Sequence, residues 1–263
     1  MNNNLVRRCL STAALVSTLV STACAPTNEP APVLGPAPTT AMWRAARKKL
    51  GEMQAQAAGT RPRTLRLALA LQEPLTHRTL EARGAVALSP PSSLRMILLG
   101  PGGTTALDLW ARGDAFRFAI PAIDLLRRGD ASTPPAQKRG LPVDFLRWWL
   151  LRPASGRLVW YAEEPSGERF VLRDGAAIVD LHVDSKGKLN ARRTTFAEGS
   201  GLMLEEETVE ASKLGCGVVF YHQQTTHLSV TVTCEGEETE REPSARAFAD
   251  PDGDNPMRGE QER

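Results

Sequence analysis

Four cysteines carry most of the chemistry available to this 263-residue chain, and their positions separate them into roles. Cys9 lies in a basic-then-apolar N-terminal stretch, Cys24 directly follows the small residues Ser21-Thr22-Ala23, and Cys216 and Cys234 lie far downstream. A thiol placed right after small residues at the end of an apolar run is suited to acylation. The other reactive groups offer less. Asp180, His182 and Asp184 alternate along one strand and share a face, which is a metal-holding geometry, but three residues are few and a polar outer face explains them equally well. Glu205 and Glu207 also share a face and read as a solvated edge, and His222 and His227 flank a loop. Ser200 lacks the G-x-S-x-G spacing of a nucleophile elbow, and Gly100-Pro-Gly-Gly103 has no following lysine or helix to cradle a phosphate. No catalytic apparatus emerges, so no enzyme, metal or other cofactor is expected.

The N-terminus has Arg7 and Arg8, then an apolar stretch from Leu10 to Val20, then the small residues before Cys24. This is the pattern of a secretory signal and is too short to span a membrane. Ser21-Thr22-Ala23-Cys24 resembles a bacterial lipobox, with Ser21 where leucine is usual. The resemblance implies cleavage after residue 23 and lipid, palmitate included, on Cys24. An ordinary signal peptide cut at an A-x-A-like site, Ala23 to Ala25, is the other reading. A lipid-anchored, periplasm-facing protein of the cell envelope follows from the first. Ala25, rather than aspartate, favours the outer membrane over the inner by similarity to enterobacterial sorting.

Cys216 and Cys234 then remain as an even pair in an oxidising compartment, and a disulfide is expected. Two alternating runs, Gly215 to Tyr221 and Leu228 to Cys234, read as a hairpin centred on Thr225, which pairs Cys216 with Cys234, Val218 with Val232 and Phe220 with Val230. Closing that loop is worth about 3 kcal/mol.

Loss of residues 1–23 leaves 30 basic and 30 acidic residues, a balance that argues against nucleic acid as a partner. Residues 24–41 are rich in Pro and Ala and read as an extended tether, and residues 236–263 are charged, with few large apolar residues, and read as a disordered tail. The domain between them, 42–235, opens with a helix at Trp43 to Ala57 and continues in period-two alternation, as in Leu65, Leu67, Leu69 and Leu71. Leu141 to Leu151, with Pro142 at its start and Pro153 past its end, is a short helix apolar over most of its circumference. The fold class is therefore mainly β (α+β), with about ten antiparallel strands that must curl or stack to cover one apolar face.

This order of helix, β-meander, short helical insertion and further meander resembles the LolA/LolB-like lipoprotein-carrier superfamily. Local features support the likeness: Arg83-Gly84, Leu94-Arg-Met-Ile-Leu-Leu-Gly-Pro-Gly-Gly-Thr104, Ala106-Leu-Asp-Leu109 and Phe116-Arg-Phe118. The resemblance implies a strongly curved, incomplete β-barrel with an N-terminal helix, lidded by Leu141 to Leu151, whose concavity holds acyl chains. A curled apolar sheet must in any case be filled by side chains, by a lid or by ligand. Candidate lining residues are Leu67, Leu69, Val86, Leu98, Leu109, Phe116 and Phe118, with Phe145, Leu146, Trp148 and Trp149 from the lid. The expected partners are the membrane, through the lipid anchor, a lipid or acylated protein as ligand, and an envelope protein. A structural or scaffolding lipoprotein that uses the same fold as an interaction surface is the alternative.

Overall fold

In the computed structural model, which describes residues 37–72, 78–197, 199–238 and 242–253, Thr39 caps helix α1 (Thr40–Ala58) by accepting the Met42 N–H at 3.3 Å. Gly59, at φ 71°, ends the helix. Only Ala46, Leu50 and Ala57 of α1 are buried, so this helix rests on the rest of the fold by a narrow stripe.

The described residues then form thirteen strands: β1 (Arg63–Gln72), β2 (Thr79–Ser89), β3 (Ser93–Leu99), β4 (Thr105–Arg112), β5 (Ala115–Ile120), β6 (Leu125–Gly129), β7 (Arg157–Glu164), β8 (Gly167–Asp174), β9 (Ala177–Asp184), β10 (Leu189–Phe196), β11 (Met203–Ala211), β12 (Val218–Gln223) and β13 (Ser229–Glu238). Between β6 and β7 lie the single turn α2 (Pro135–Lys138) and helix α3 (Val143–Leu150). All strands join one curved, unclosed antiparallel sheet in the order β6-β5-β4-β3-β2-β1-β13-β12-β11-β10-β9-β8-β7. The first and last strands meet in its middle, and the segment carrying α2 and α3 links its two edges.

Alternation decides the faces. Leu65, Leu67, Leu69 and Leu71 of β1 turn inward and are buried, while Arg66 and Gln72 are exposed. The same period places Val86, Leu98, Leu109, Phe118, Phe170, Val179 and Val232 in one core. The strands outnumber the ten or so expected chiefly through β6, whose Leu125-Leu126-Arg127-Arg128 has no alternation to reveal it.

The cysteine hairpin exists with a different register. Val218 pairs with Thr233, Val219 with Val232 and Tyr221 with Val230, one residue away from the expected pairing. The side-chain period is two, so this slip exchanges faces: Val219 and Tyr221 are buried, and Phe220 is 55% exposed. The β12–β13 turn sets the register by closing with the Gln223 N–H on the Leu228 carbonyl at 2.9 Å. Cys216 consequently lies just outside β12, in a loop where Gly215 has φ 88°. It still bonds Cys234, with the Cα atoms 5.1 Å apart.

The expectation of a disordered tail from residue 236 is corrected over 236–238, which continue β13 against β1, and over 242–253. There Ala245–Phe248 forms a 3-10 turn and the segment lies against the outer face of the sheet. The Trp110 indole donates to the Phe248 carbonyl at 3.0 Å. Arg117 Nε meets Asp252 at 2.8 Å, and Arg128 bonds Asp250 at 2.5 Å and Asp252 at 3.1 Å. Partial burial works to raise the Asp250 pKa, but hydrogen bonds from Arg128 and the Asp252 N–H outweigh it and hold the carboxyl below its ordinary value. Few large apolar residues signalled a loose chain, whereas paired charges hold this one in place.

Gly84 marks a close approach between β2 and β3. A Cβ added there would lie 2.2 Å from the Ile97 carbonyl oxygen and 3.0 Å from the Leu98 Cα. Both are backbone atoms, so the ladder itself would have to shift. Gly84→Ala is expected to lower unfolding stability by about 1–3 kcal/mol, read as a lower urea midpoint at unchanged m-value. An unaltered midpoint would contradict this packing.

Candidate functional site

All eleven residues expected to line the concavity, Leu67, Leu69, Val86, Leu98, Leu109, Phe116, Phe118, Phe145, Leu146, Trp148 and Trp149, have 3% or less of their surface exposed and belong to one cluster. The sheet supplies the first seven, and α3 supplies the other four. Of the eight residues of α3, only Asp144 escapes burial. The Phe145 ring stacks on Tyr221 of β12, with centroids 4.1 Å apart and planes 13° from parallel. The Trp148 and Trp149 rings lie 6.2 Å apart. The helix thus sits within the concave face and fills it, where the sequence had suggested a lid over an open space.

One charge is carried inward with this helix. Arg147 is 5% exposed, and its guanidinium donates to the Gly113 carbonyl and, at 3.3 Å, to the Asp114 carboxylate at the β4–β5 turn. Burial pushes its pKa down, and Asp144 and Asp114 oppose that push. Arg147 therefore fastens α3 to the sheet through the turn at Gly113.

At the β10–β12 side the inner face becomes polar. Glu205 and Glu207, read from sequence as a solvated edge, are buried at 7% and 5% exposure. Their phase with Val209 and Ala211, both buried on the same strand, was the signal that could have placed them. Tyr221 Oη donates to Glu207 at 2.6 Å, and Arg193 Nη1 donates to its other oxygen at 2.7 Å. Burial pushes the Tyr221 hydroxyl well above its ordinary pKa, and the Glu207 charge adds to the shift. Burial disfavours the Arg193 charge, yet Glu207 more than offsets it and raises the pKa. Glu205 accepts the Thr225 N–H at 3.1 Å and its hydroxyl. Gln223 accepts the Gly140 N–H at 3.0 Å, tying the approach to α3 to this polar end. Three buried donors, Arg63 Nε, Arg193 Nε and Trp148 Nε1, have no acceptor among the described residues, and the last two belong to this inner face.

The remaining candidates are dispersed on the outside. Asp180 pairs with Arg169 at 2.7 Å, Asp184 accepts the Lys186 and Lys188 N–H groups of its own turn, and His182 lies 3.1 Å from the Ser166 hydroxyl. His222 meets Ser229 at 2.9 Å. A surface opening of about 860 Å³ lies beside the C-terminal half of α1 and is lined by Lys49, Met53, Arg63, Glu168, Leu189 and Cys216 among others. Cys24 falls outside the described residues.

No family model and no curated protein sequence matches this chain. Solved structures do. A LolA superfamily protein from Nitrosomonas europaea superposes over 78% of this chain and 97% of its own, with a TM-score of 0.53 at 12% identity. The fold is LolA-like. A domain named for outer membrane lipoprotein sorting from Vibrio parahaemolyticus matches over 78% of this chain and 97% of its own, with a TM-score of 0.44 at 11% identity. A DUF1329 family protein from Desulfovibrio piger covers 78% of this chain and 96% of its own, with a TM-score of 0.41 at 8% identity.

The polar end makes a testable demand. Glu207→Gln strands the Arg193 cation in the inner face, and removing one member of a buried pair costs about 3–5 kcal/mol. The urea midpoint is expected to fall accordingly, and the double change Glu207→Gln with Arg193→Met is expected to recover part of the loss. A single variant as stable as the parent would mean that the pair is solvated.

Proposed function

We propose that this chain is a non-catalytic envelope lipoprotein, cut before Cys24, acylated there and tethered to a membrane facing the periplasm, whose half-barrel takes an acyl chain of a lipid or acylated protein in exchange for α3. The observation that carries this reading is that a helix of eight residues, seven of them buried, fills the concavity through apolar side chains and a single fastened arginine. Such a filler can be replaced by another apolar body of similar size. An acyl chain gains about 0.8 kcal/mol for each buried methylene, so a long chain competes with α3 without any covalent step or cofactor. The likeness to a LolA superfamily structure supports the same reading. The tether fits it too, since a lipid-held cavity works beside its source of ligand, and Ala25 favours the outer membrane as that place.

A second reading has its own support. An inner face whose eleven candidate residues are all 3% exposed or less is also what a permanently packed scaffold would have.

One experiment separates them. Mass spectrometry of the full chain purified from bacterial membranes is expected to show a mature N-terminus beginning at a lipid-modified Cys24; an unmodified cysteine removes the anchor. The detergent-free protein is then titrated with cis-parinaric acid while amide exchange is followed in α3. Saturable binding with faster exchange at Phe145–Leu150 is expected of a carrier. No binding, with α3 protected throughout, leaves the scaffold.

A further inference from the structure

The outer face of β3–β6 carries a row of side chains unlike the rest of the exterior. In register, Arg95 lies opposite Trp110, Trp110 opposite Arg117, and Arg117 opposite Arg128. Three arginines and a tryptophan therefore form one line across four strands. Asp108 neutralises one of the three, bridging Arg95 and Arg117. Two positive charges are left over, and Asp250 and Asp252 of the C-terminal segment meet them. The segment also reduces Trp110 to 6% exposure, although the tryptophan points away from the core.

The segment is unevenly held. Its 3-10 turn has no buried residue, and the Arg128 and Asp250 side chains remain 40% and 33% exposed. An ion pair as accessible as Arg128–Asp250 is weak and salt-sensitive, whereas Arg117 and Asp252, 13% and 19% exposed, make the firmer of the two attachments. Beneath them lies the combination of tryptophan and arginine that concentrates binding energy in protein interfaces. The hydrogen-bond pattern also states what kind of occupant fits. Trp110 donates to a main-chain carbonyl, and the arginines take carboxylates two residues apart within a turn closed by the Gly253 N–H on the Asp250 carbonyl, which describes a turn-forming acidic peptide better than a phosphate group.

We propose that the Arg95–Trp110–Arg117–Arg128 row is a docking surface for an acidic, turn-forming segment of a partner protein, with residues 245–252 occupying it as a displaceable stand-in. The partner's segment presents a main-chain carbonyl to Trp110, followed by two carboxylates spaced as Asp250 and Asp252 are. Because the stand-in is tethered, it acts at an effective concentration on the order of millimolar, so a partner needs further contacts to displace it. The surface is opposite the concavity and does not depend on what the concavity binds.

The test uses the full chain and a labelled synthetic peptide of residues 244–253, followed by fluorescence anisotropy at low salt. The Asp250→Asn/Asp252→Asn protein, freed of its own carboxylates, is expected to bind the peptide at least tenfold more tightly than the unchanged protein. Added salt, or Asp-to-Asn changes in the peptide, is expected to abolish that binding. A folded double variant that ignores the peptide, or binds the Asn peptide equally, overturns the proposal, and so does inorganic phosphate that competes as well as the peptide. Hydrogen exchange on the unchanged protein gives an independent reading. Amides of 245–253 are expected to exchange far faster than those of β4 and β5, and equal protection would make the segment a permanent part of the sheet.

Discussion

Everything in this molecule answers to one inner surface. Alternate residues of every strand but β6 place apolar side chains, chiefly leucine, valine and phenylalanine, on the same side of an unclosed sheet, and each square ångström left wet costs about 25 cal/mol. A sheet that large cannot pack on a partner sheet it does not have. It curls, and the curl leaves a trough that something must occupy. The connection between the two edge strands supplies that body: residues 130–156 leave β6, cross the inner face as α3 and return as β7. The position of α3 is therefore a consequence of strand order, because the linker that joins the edges is the segment able to reach across the trough.

The polar end shows how the trough tolerates charge. Glu207 is buried, yet Tyr221 and Arg193 each satisfy one of its oxygens, so its desolvation is met by a cation and a hydroxyl at once. Phe145 of α3 stacks on the ring of that same tyrosine. Seating of the helix and satisfaction of the carboxylate are thus linked through one side chain. Displacing α3 would uncover the Tyr221 ring while its hydroxyl stays committed to Glu207. Among the described residues, the Trp148 and Arg193 Nε donors find no acceptor where helix and sheet pack.

Much of this was legible in the residues, for identifiable reasons. Period-two alternation exposed β1 and β2, turn residues at Pro90-Pro91, Gly100-Pro-Gly-Gly103 and Gly113-Asp114 marked off β3 to β5, and an apolar circumference between two prolines exposed α3, since burial on all sides leaves that mark. Four features were hidden. The β12–β13 register depends on how residues 224–227 close the turn, and the valines on both runs permit either phase. β6 is held by pairing with β5 rather than by an apolar face, so Leu125-Leu126-Arg127-Arg128 has no period. The burial of Glu205 and Glu207 was encoded only in phase with Val209, against the strong prior that a run of glutamates is wet. The C-terminal segment was obscured in the same way: its aspartates look solvated until the arginines opposite them are known.

Both faces of the sheet are completed by the chain's own segments, α3 within and residues 242–253 without. An intramolecular occupant sets a threshold for any competitor. If the open form is a fraction f of the population, the apparent dissociation constant of a ligand rises by 1/f, and weak or short ligands are rejected without a dedicated filter. The two occupants set thresholds of different kinds. Displacing α3 exposes Phe145, Trp148 and Trp149 together, so only a competitor that restores a comparable apolar area succeeds, and ionic strength has little bearing on it. Displacing the outer segment breaks pairs between partly exposed charges, so its threshold falls as salt rises while the attraction for an acidic competitor falls with it. Selectivity on the outer face must then come from what salt does not screen, the fit of a backbone carbonyl and its neighbouring side chain on Trp110.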